Sequence, residues 1–454
     1  MTSQPNIILI HTDQHRFDCV GINGHPLLQT PNLDRLAAEG VNFTHAFSPV
    51  PVCIPARNSL LYGQWATEHL SIANWNTEAP RPATGTGITL SQCLNSAGYF
   101  LSHIGKWHIH PTRGPLDYGY HTDSPESDYN TYRKNAGYEP KPNHNGWRGE
   151  PDPHIPPEAS RLAWGANCVI EHMKRATQPF FLHWETNEPH LPNVVPEPYA
   201  SLYNPKNILP WVGFNDPLLN KPYIQAQQRR TWGLNTWTWS DWAPIVARYL
   251  GEIALLDAQI GHILNSLDQL GLAENTLVIY TPDHGDMCGS HGMIDKHYVM
   301  YDDLMRVPLF MRWPACLPAN TTCNTFVSNA LDIAATLCEA AQIPQPETFR
   351  GQSLLSLDTQ REDIFATYHG NQFGLYSQRM VRDANWKYIW NATAEDELYN
   401  LANDPGEIQN RATDATCREH LVHLRKRLIV WMENTKDPLL NHWNRDQLLD
   451  NRSI

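Results

Sequence analysis

The sequence predicts an α/β fold, with a large, mostly parallel sheet flanked by helices and a small C-terminal α+β subdomain carrying an antiparallel sheet. Three observations predict it. Short runs at residues 6–12, 180–184 and 276–281 are apolar at most positions, which suits strands buried on both faces. Helical patterns lie between those runs, most clearly over residues 249–270. The first and last runs end in the polar pairs Asp13-Gln14 and Asp283-His284, at the carboxyl ends of strands, where open α/β sheets gather ligands.

The 454 residues are 41% hydrophobic and 18% charged, an ordinary globular composition with ample length for a large core. A catalytic domain over residues 1–358 and a subdomain over residues 359–454 account for that length. The formal net charge of −13 argues against nucleic-acid and anionic-membrane partners, yet leaves room for a locally positive pocket and a small anionic substrate. Nine cysteines, an odd count without C-x-x-C spacing, read as thiols in a reducing compartment. The N-terminal MTSQPNIILIHTD lacks the basic start of a leader, and no run is long enough to span a membrane. A cytoplasmic protein is expected, with a mature secreted form as the alternative.

Taken in order, residues 6–12 form the first strand, and Thr30 to Gly40 has the capping start and glycine stop of a short amphipathic helix. Pro51-Val52-Cys53-Ile54-Pro55-Ala56-Arg57 then leads into a helix that Gly63 can end, with Pro55 in its first turn. Cys53 therefore sits at or just before a helix N-terminus, where free N–H groups and the helix dipole favour an anion. Arg57 lies one turn further in and can reach the same anion. In Gly105-Lys106-Trp107-His108 the lysine and histidine are two apart, so on an extended chain they share a face, a cation beside a proton carrier.

Residues 111–160 are rich in Pro, Gly, Asn and Asp and read as long pocket-shaping loops. A helix over Arg161–Arg175 and the buried strand at 180–184 follow, then Pro189-His190-Leu191-Pro192. Residues 211–242 crowd five tryptophans, 211, 232, 237, 239 and 242, into a segment with little period. A carbohydrate subsite, core packing or a subunit interface would each use them, and a homo-oligomer is one assembly this leaves open. The helix at 249–270 precedes the strand at 276–281. If the first and last strands are neighbours, Asp13, Gln14, Asp283 and His284 converge, three oxygen ligands and one imidazole suited to a divalent cation. A strand at 307–311, antiparallel-type strands at 364–368 and 386–390, and a helix at 417–434 complete the chain.

Several of these stretches resemble the type I, formylglycine-dependent sulfatases of the alkaline phosphatase superfamily. Cys53-Ile54-Pro55-Ala56-Arg57 matches the family's C-x-P-x-R, and the likeness runs on through Leu60-Leu61-Tyr62-Gly63. Asp13-Gln14, the TPNLDxLAxxG segment, G-K-x-H at 105–108, P-H-x-P at 189–192 and the block from Asp283 through His291-Gly292 and Lys296 to Tyr301-Asp302-Asp303 follow in family order. Glu397-Leu398-Tyr399-Asn400-Leu401 with Asp404-Pro405-Gly406-Glu407 resembles the family's close. The resemblance implies an alkaline-phosphatase-like fold and hydrolysis of a sulfate monoester, of a sulfated sugar or another small organic sulfate.

The resemblance further implies that a formylglycine-generating enzyme oxidises Cys53 to formylglycine, whose hydrate is the nucleophile. Asp13, Gln14, residue 53, Asp283 and His284 would hold one cation, Ca²⁺ by family usage, with Mn²⁺ or Zn²⁺ favoured by the imidazole. Asp283 would take the attacking proton, while Arg57, Lys106 and Lys296 stabilise the sulfuryl oxygens. His190 with Lys296 would protonate the leaving oxygen, and His108 would deprotonate the second hydroxyl to release sulfate. Two positions depart from the usual pattern. Gln14 stands where many sulfatases have a carboxylate, and His284 where many have Asn. The same D-Q and D-H pairs occur in the related phosphonate monoester hydrolases, which lack the Lys106/His108 pair. A non-catalytic glycan binder is a third reading, against which the intact Cys53, Arg57 and Lys296 argue.

Overall fold

The computed structural model describes residues 4–74, 87–177, 179–358, 360–370 and 375–449. Eight strands build the main sheet: β1 (Asn6–Thr12), β2 (Val41–Phe43), β3 (Phe100–Gly105), β4 (Thr122–Pro125), β5 (Phe180–Glu185), β6 (Thr276–Pro282), β7 (Phe310–Arg312) and β8 (Thr321–Cys323). Their order across the sheet is β8-β2-β7-β6-β1-β5-β3-β4. β7 runs antiparallel to both β2 and β6, while the pairings on either side of those three strands are parallel.

Alternation along the strands divides the core into two layers. Ile7 and Leu9 join Phe181, Leu277 and Ile279 on one face, and Ile8 and Ile10 join Leu182, Val278 and Tyr280 on the other. Each of these side chains is essentially fully buried, and each contributes about 1.5–3 kcal/mol on the usual transfer scale. Helices α1 (Pro31–Ala38), α2 (Cys53–Tyr62), α3 (Glu126–Asn135), α4 (Arg161–Arg175), α5 (Tyr223–Thr231), α6 (Trp239–Gln269) and α7 (Asn329–Ala340) flank the sheet and its loops. α2 and α7 pack with the first layer, and α1, α4 and α6 with the second.

Register positions the site. His11 is level with Glu185 and with Thr281, and Gly105 with Glu185, so four adjacent parallel strands end at one height. Thr12 is level with Pro282, which makes Asp13 and Asp283 neighbours. The amide of Asp283 continues the ladder by donating to the Thr12 carbonyl at 3.0 Å.

Three expectations need correction. Residues 111–160 are not all loop: they hold the strand β4 and the ten-residue helix α3. That helix is hard to read because it buries only Tyr129 and Arg133, and it rests on Glu126 and Asp128 in its first turn and Arg133 and Lys134 in its last, complementing the helix dipole. Residues 211–242 contain α5 and the start of α6, which begins at Trp239, ten residues before the expected 249, and carries Pro244 inside it. Asp241 holds that start by accepting from the Thr238 amide and hydroxyl, both at 2.8 Å. The expected strand at 307–311 is registered only over Phe310–Arg312; Pro308 has no N–H to give a ladder.

Four antiparallel strands, β9 (Ile364–Gly370), β10 (Tyr376–Arg382), β11 (Trp386–Asn391) and β12 (Glu397–Asn400), form the C-terminal sheet in sequence order. Helix α8 (Arg418–Asn434) lays Leu421, Leu424 and Leu428 against its Val381, Tyr388 and Trp390. Lys387 ties this sheet to the catalytic side, donating to the Met300 carbonyl at 3.0 Å and pairing with Asp302 and Glu407. The expected boundary at residue 359 lies outside the described residues. Among the described residues no helix is long and apolar enough to cross a membrane.

Candidate active site

α2 begins at Cys53 itself, after Val52 in extended geometry, and ends at Gly63 with a left-handed φ of 60°. Cys53 is 1% exposed and lies over the ends of β1 and β6. Its Sγ is 2.9 Å from Lys296 Nζ, 3.3 Å from His284 Nε2 and 3.6 Å from Asp13 Oδ1, and His108 hydrogen-bonds it as well. Burial pushes the thiol pKa up, yet Lys296, Lys106 and His284 outweigh burial and hold it well below the ordinary thiol value.

The sequence-predicted residues converge here. Lys106 follows β3 and donates to Asp13 Oδ2 at 2.6 Å and to Asn187 Oδ1 at 3.1 Å. His108 adopts a left-handed φ of 41°, so the chain bends rather than staying extended, and still delivers its ring to Cys53. Lys296 is buried, donates to Gln14 Oε1 at 2.9 Å, and meets His190 Nε2 at 2.8 Å. His190 Nδ1 lies 2.5 Å from the Leu191 carbonyl, which leaves Nε2 to face Lys296. Burial and the Cys53 thiolate raise the Asp13 carboxyl, but Lys106, His190 and Lys296 bring it below the usual carboxylate range.

Arg57 has a more specific place than its spacing suggested. It is fully buried beneath Cys53 with Nη1 on Glu185 Oε1 at 2.9 Å and Nη2 on Asp13 Oδ2 at 3.0 Å, and Nη2 is also 3.2 Å from Asp283 Oδ2. Its guanidinium is thus committed to three carboxylates.

The donor set suits a divalent cation. Ligand atoms of Asp13, Cys53, Asp283 and His284, all buried, lie within 4.8 Å of one another. Asp283 Oδ1 accepts from the amides of Gln14 at 3.1 Å and His284 at 2.9 Å, while its buried Oδ2 accepts no hydrogen bond among the described residues. His284 Nδ1 is 2.8 Å from the Gly285 carbonyl; donating there leaves Nε2 facing Cys53 and Asp13, where it would offer a lone pair to an ion once its proton is displaced. Burial disfavours the imidazolium of His284, but Asp283 and Cys53 carry its pKa up to about 9. Such concentrated charge, with Asp283 Oδ2 held, among the described residues, only by its ion pair with Arg57, suits an oxygen-rich cation site. Gln14 joins the cluster with its amide oxygen on Lys296 and its Nε2 donating to Asp286 at 2.8 Å.

Sequence reasoning passed over Glu185, Asn187 and Asp286, which contact Arg57, Lys106 and Gln14. Position at a strand end was the only signal, and Glu185 carried it. The tryptophans of 211–242 mostly pack on one another: Trp237 meets Trp147 at 5.4 Å and Trp242 at 5.0 Å, and Trp242 is 1% exposed. That cluster packs against Leu191, the neighbour of His190, and Ile294.

Comparison with known proteins agrees with this geometry. A family model described as Sulfatase matches residues 5–343, and one described as N-sulphoglucosamine sulphohydrolase, C-terminal, matches residues 289–434. The chain is 29% identical to an arylsulfatase of Clostridium perfringens over 96% of this chain and 95% of the relative. It is 30% identical to the uncharacterized sulfatase YidJ of Escherichia coli, over 98% and 91% of the two chains. The phosphonate monoester hydrolase of Agrobacterium radiobacter superposes with a TM-score of 0.84 at 26% identity, covering 96% of this chain and 97% of that one.

Proposed function

Since this chain belongs to the sulfatase family, as a sulfuric ester hydrolase, we propose that it cleaves small organic sulfate monoesters, sulfated sugars included, with residue 53 as nucleophile. The observation that carries this reading is the buried Cys53 thiol at 2.9 Å from Lys296, with His108 and His284 on the same sulfur. Oxidised to formylglycine by a maturing enzyme in the host, residue 53 would present a hydrated aldehyde, and Sγ stands in for its attacking oxygen.

Asp13, Gln14, Asp283, His284 and residue 53 would hold one divalent cation, Ca²⁺ on the balance of oxygen donors, with Mn²⁺ or Zn²⁺ as the imidazole's preference. When bound, that ion lowers the pKa of an attacking hydroxyl and draws charge from the sulfuryl group. The chain's own residues do the rest. Asp283, whose Oδ2 is held, among the described residues, only by its ion pair with Arg57, takes the nucleophile's proton. Lys106 and Lys296 face the sulfuryl oxygens with positive charge in a water-poor site. Arg57, bound to Asp13 and Asp283, keeps those carboxylates in place. Lys296 and His190, 2.8 Å apart, pass a proton to the departing oxygen, and His108 removes the second proton as sulfate leaves. All these residues precede 297, which supports 1–358 as the catalytic unit and 359–454 as the subdomain. The odd, unpatterned count of nine cysteines supports a reducing, cytoplasmic setting.

A phosphonate monoester hydrolase is the second reading, favoured by the Agrobacterium structure and by the Gln14 and His284 pair. Lys106 and His108 favour sulfate, because they add a cation and a proton carrier beside residue 53. Sulfate release from a chromogenic aryl sulfate tests the first reading: the matured wild-type protein turns over, and Cys53→Ala, folded, does not. Full activity in Cys53→Ala would sink the mechanism.

A further inference from the structure

Behind Arg57, away from Cys53, lies a buried cluster to which the mechanism assigns no task. Glu185 Oε1 accepts from Arg57 Nη1 at 2.9 Å and lies 3.0 Å from His11 Nδ1 and 3.3 Å from His183 Nε2. Its Oε2 is 3.2 Å from His103 Nε2, and His103 Nδ1 is 2.7 Å from Asp123 Oδ1 at the sheet edge. Tyr120 Oη holds His183 Nδ1 at 2.9 Å. Glu185 and Arg57 are both fully buried.

His11, His183 and Glu185 are close enough to ligate a metal. A cation on Oε1 would, however, stand against the buried guanidinium on that same oxygen, with no second carboxylate in the group to compensate it. The cluster instead serves Arg57. That cation faces three carboxylates, and two of them, Asp13 and Asp283, belong to the donor set for the divalent ion. Paired with those two alone, Arg57 would cancel half their negative charge and compete with the ion. Glu185 supplies the third negative charge from behind, and hydrogen bonds with His11 and His103 hold it there, with His183 packed beside it.

We propose that Glu185 is a positioning residue: acting through Arg57, it sets the orientation and charge of Asp13 and Asp283 and so the affinity of the site for its divalent cation. This rests on the cation site proposed above. Groups that touch metal ligands directly typically change affinity or activity by about 10–100-fold when altered, and Glu185, one contact further away behind Arg57, is expected at the lower end of that range. Glu185→Gln keeps an oxygen for Arg57 Nη1, removes the charge, and turns the oxygen facing His103 Nε2 into an amide donor.

Calorimetric titration of calcium chloride into chelator-stripped wild-type and Glu185→Gln protein, each verified by mass to carry the same residue 53, tests the proposal. The expected result is a Kd about tenfold weaker in Glu185→Gln, with activity recovering as calcium is raised. A purely structural lesion would lower the melting temperature without moving the Kd. Wild-type binding with an unchanged Kd in the variant overturns the role of Glu185 alone; absence of binding to the wild type overturns the cation site as well. If Glu185→Gln does not fold, Glu185→Asp carries the test. It keeps the charge but is one methylene too short for the 2.9 Å contact, so a smaller loss of affinity supports the role and wild-type affinity overturns it.

Discussion

Replacing Lys296 with Met removes one charge from the centre of the site while keeping a long flexible stem. Nζ of Lys296 reaches Gln14 Oε1 and Cys53 Sγ at 2.9 Å and His190 Nε2 at 2.8 Å, and the residue is 2% exposed. Its pKa is held above the ordinary lysine value: burial opposes the charge, but Asp295, Cys53, Asp13 and Asp283 outweigh burial. The ammonium is therefore charged when substrate arrives. A preorganised donor of this kind, in a site that excludes water, is worth about 10²–10³ in kcat, or about 2.7–4 kcal/mol. In the proposed mechanism Lys296 also shares the leaving-group proton with His190, 2.8 Å away, so Lys296→Met should fall at the upper end of that range. Stability should fall as well, because its charged partners outweigh burial and Lys296→Met leaves their carboxylates uncompensated, so the melting temperature is read alongside to verify that the variant is folded. The assay is initial-rate sulfate release from an aryl sulfate, in protein whose residue 53 is verified by mass. A kcat within threefold of wild type would refute the reasoning.

Three further outcomes are expected. Asp283→Asn should lose both bound metal and activity, read by elemental analysis and turnover after chelation and reloading; full activity with no metal bound would mean the donor set is misread. His284→Asn, which trades nitrogen for oxygen, should shift preference toward Ca²⁺ and keep some activity. Glu252 is buried and its carboxyl is pushed up to about 8, by burial and by Glu188. It folds protonated, so its contribution to stability is present below the ordinary carboxylate value of about 4.3 and is lost as pH rises through about 8. Glu252→Gln should flatten that part of the melting-temperature profile, and an unchanged slope would assign the loss to other groups.

What was legible in the sequence was local. Ile7 to Ile10 and Leu277 to Tyr280 declare buried strands by composition and length, and the polar pairs after them mark the strand ends. Cys53, Lys106, His108, His190 and Lys296 stand in motifs with characteristic neighbours, and all come together around one sulfur, His190 through Lys296. What escaped depends on contacts distant in sequence. Glu185 meets Arg57 across 128 positions, a pairing that no spacing announces. Arg57 reads as an anion binder one turn into a helix, yet folding surrounds it with carboxylates from β1, β5 and the end of β6. α3 was hidden by its polarity and the start of α6 by Pro244, because both weaken the apolar period that marks a helix.

The central claim is that this site is built for sulfate monoesters. Competing rates on an aryl sulfate and the matching aryl phosphonate monoester, measured as kcat/KM on one metal-loaded preparation with residue 53 matured, test it most directly. The sulfate should be the faster substrate, and Lys106→Ala should lose about 10²–10³ of that rate. Faster hydrolysis of the phosphonate by the wild-type enzyme would contradict it and make Gln14 and His284, rather than Lys106 and His108, the residues that set the substrate.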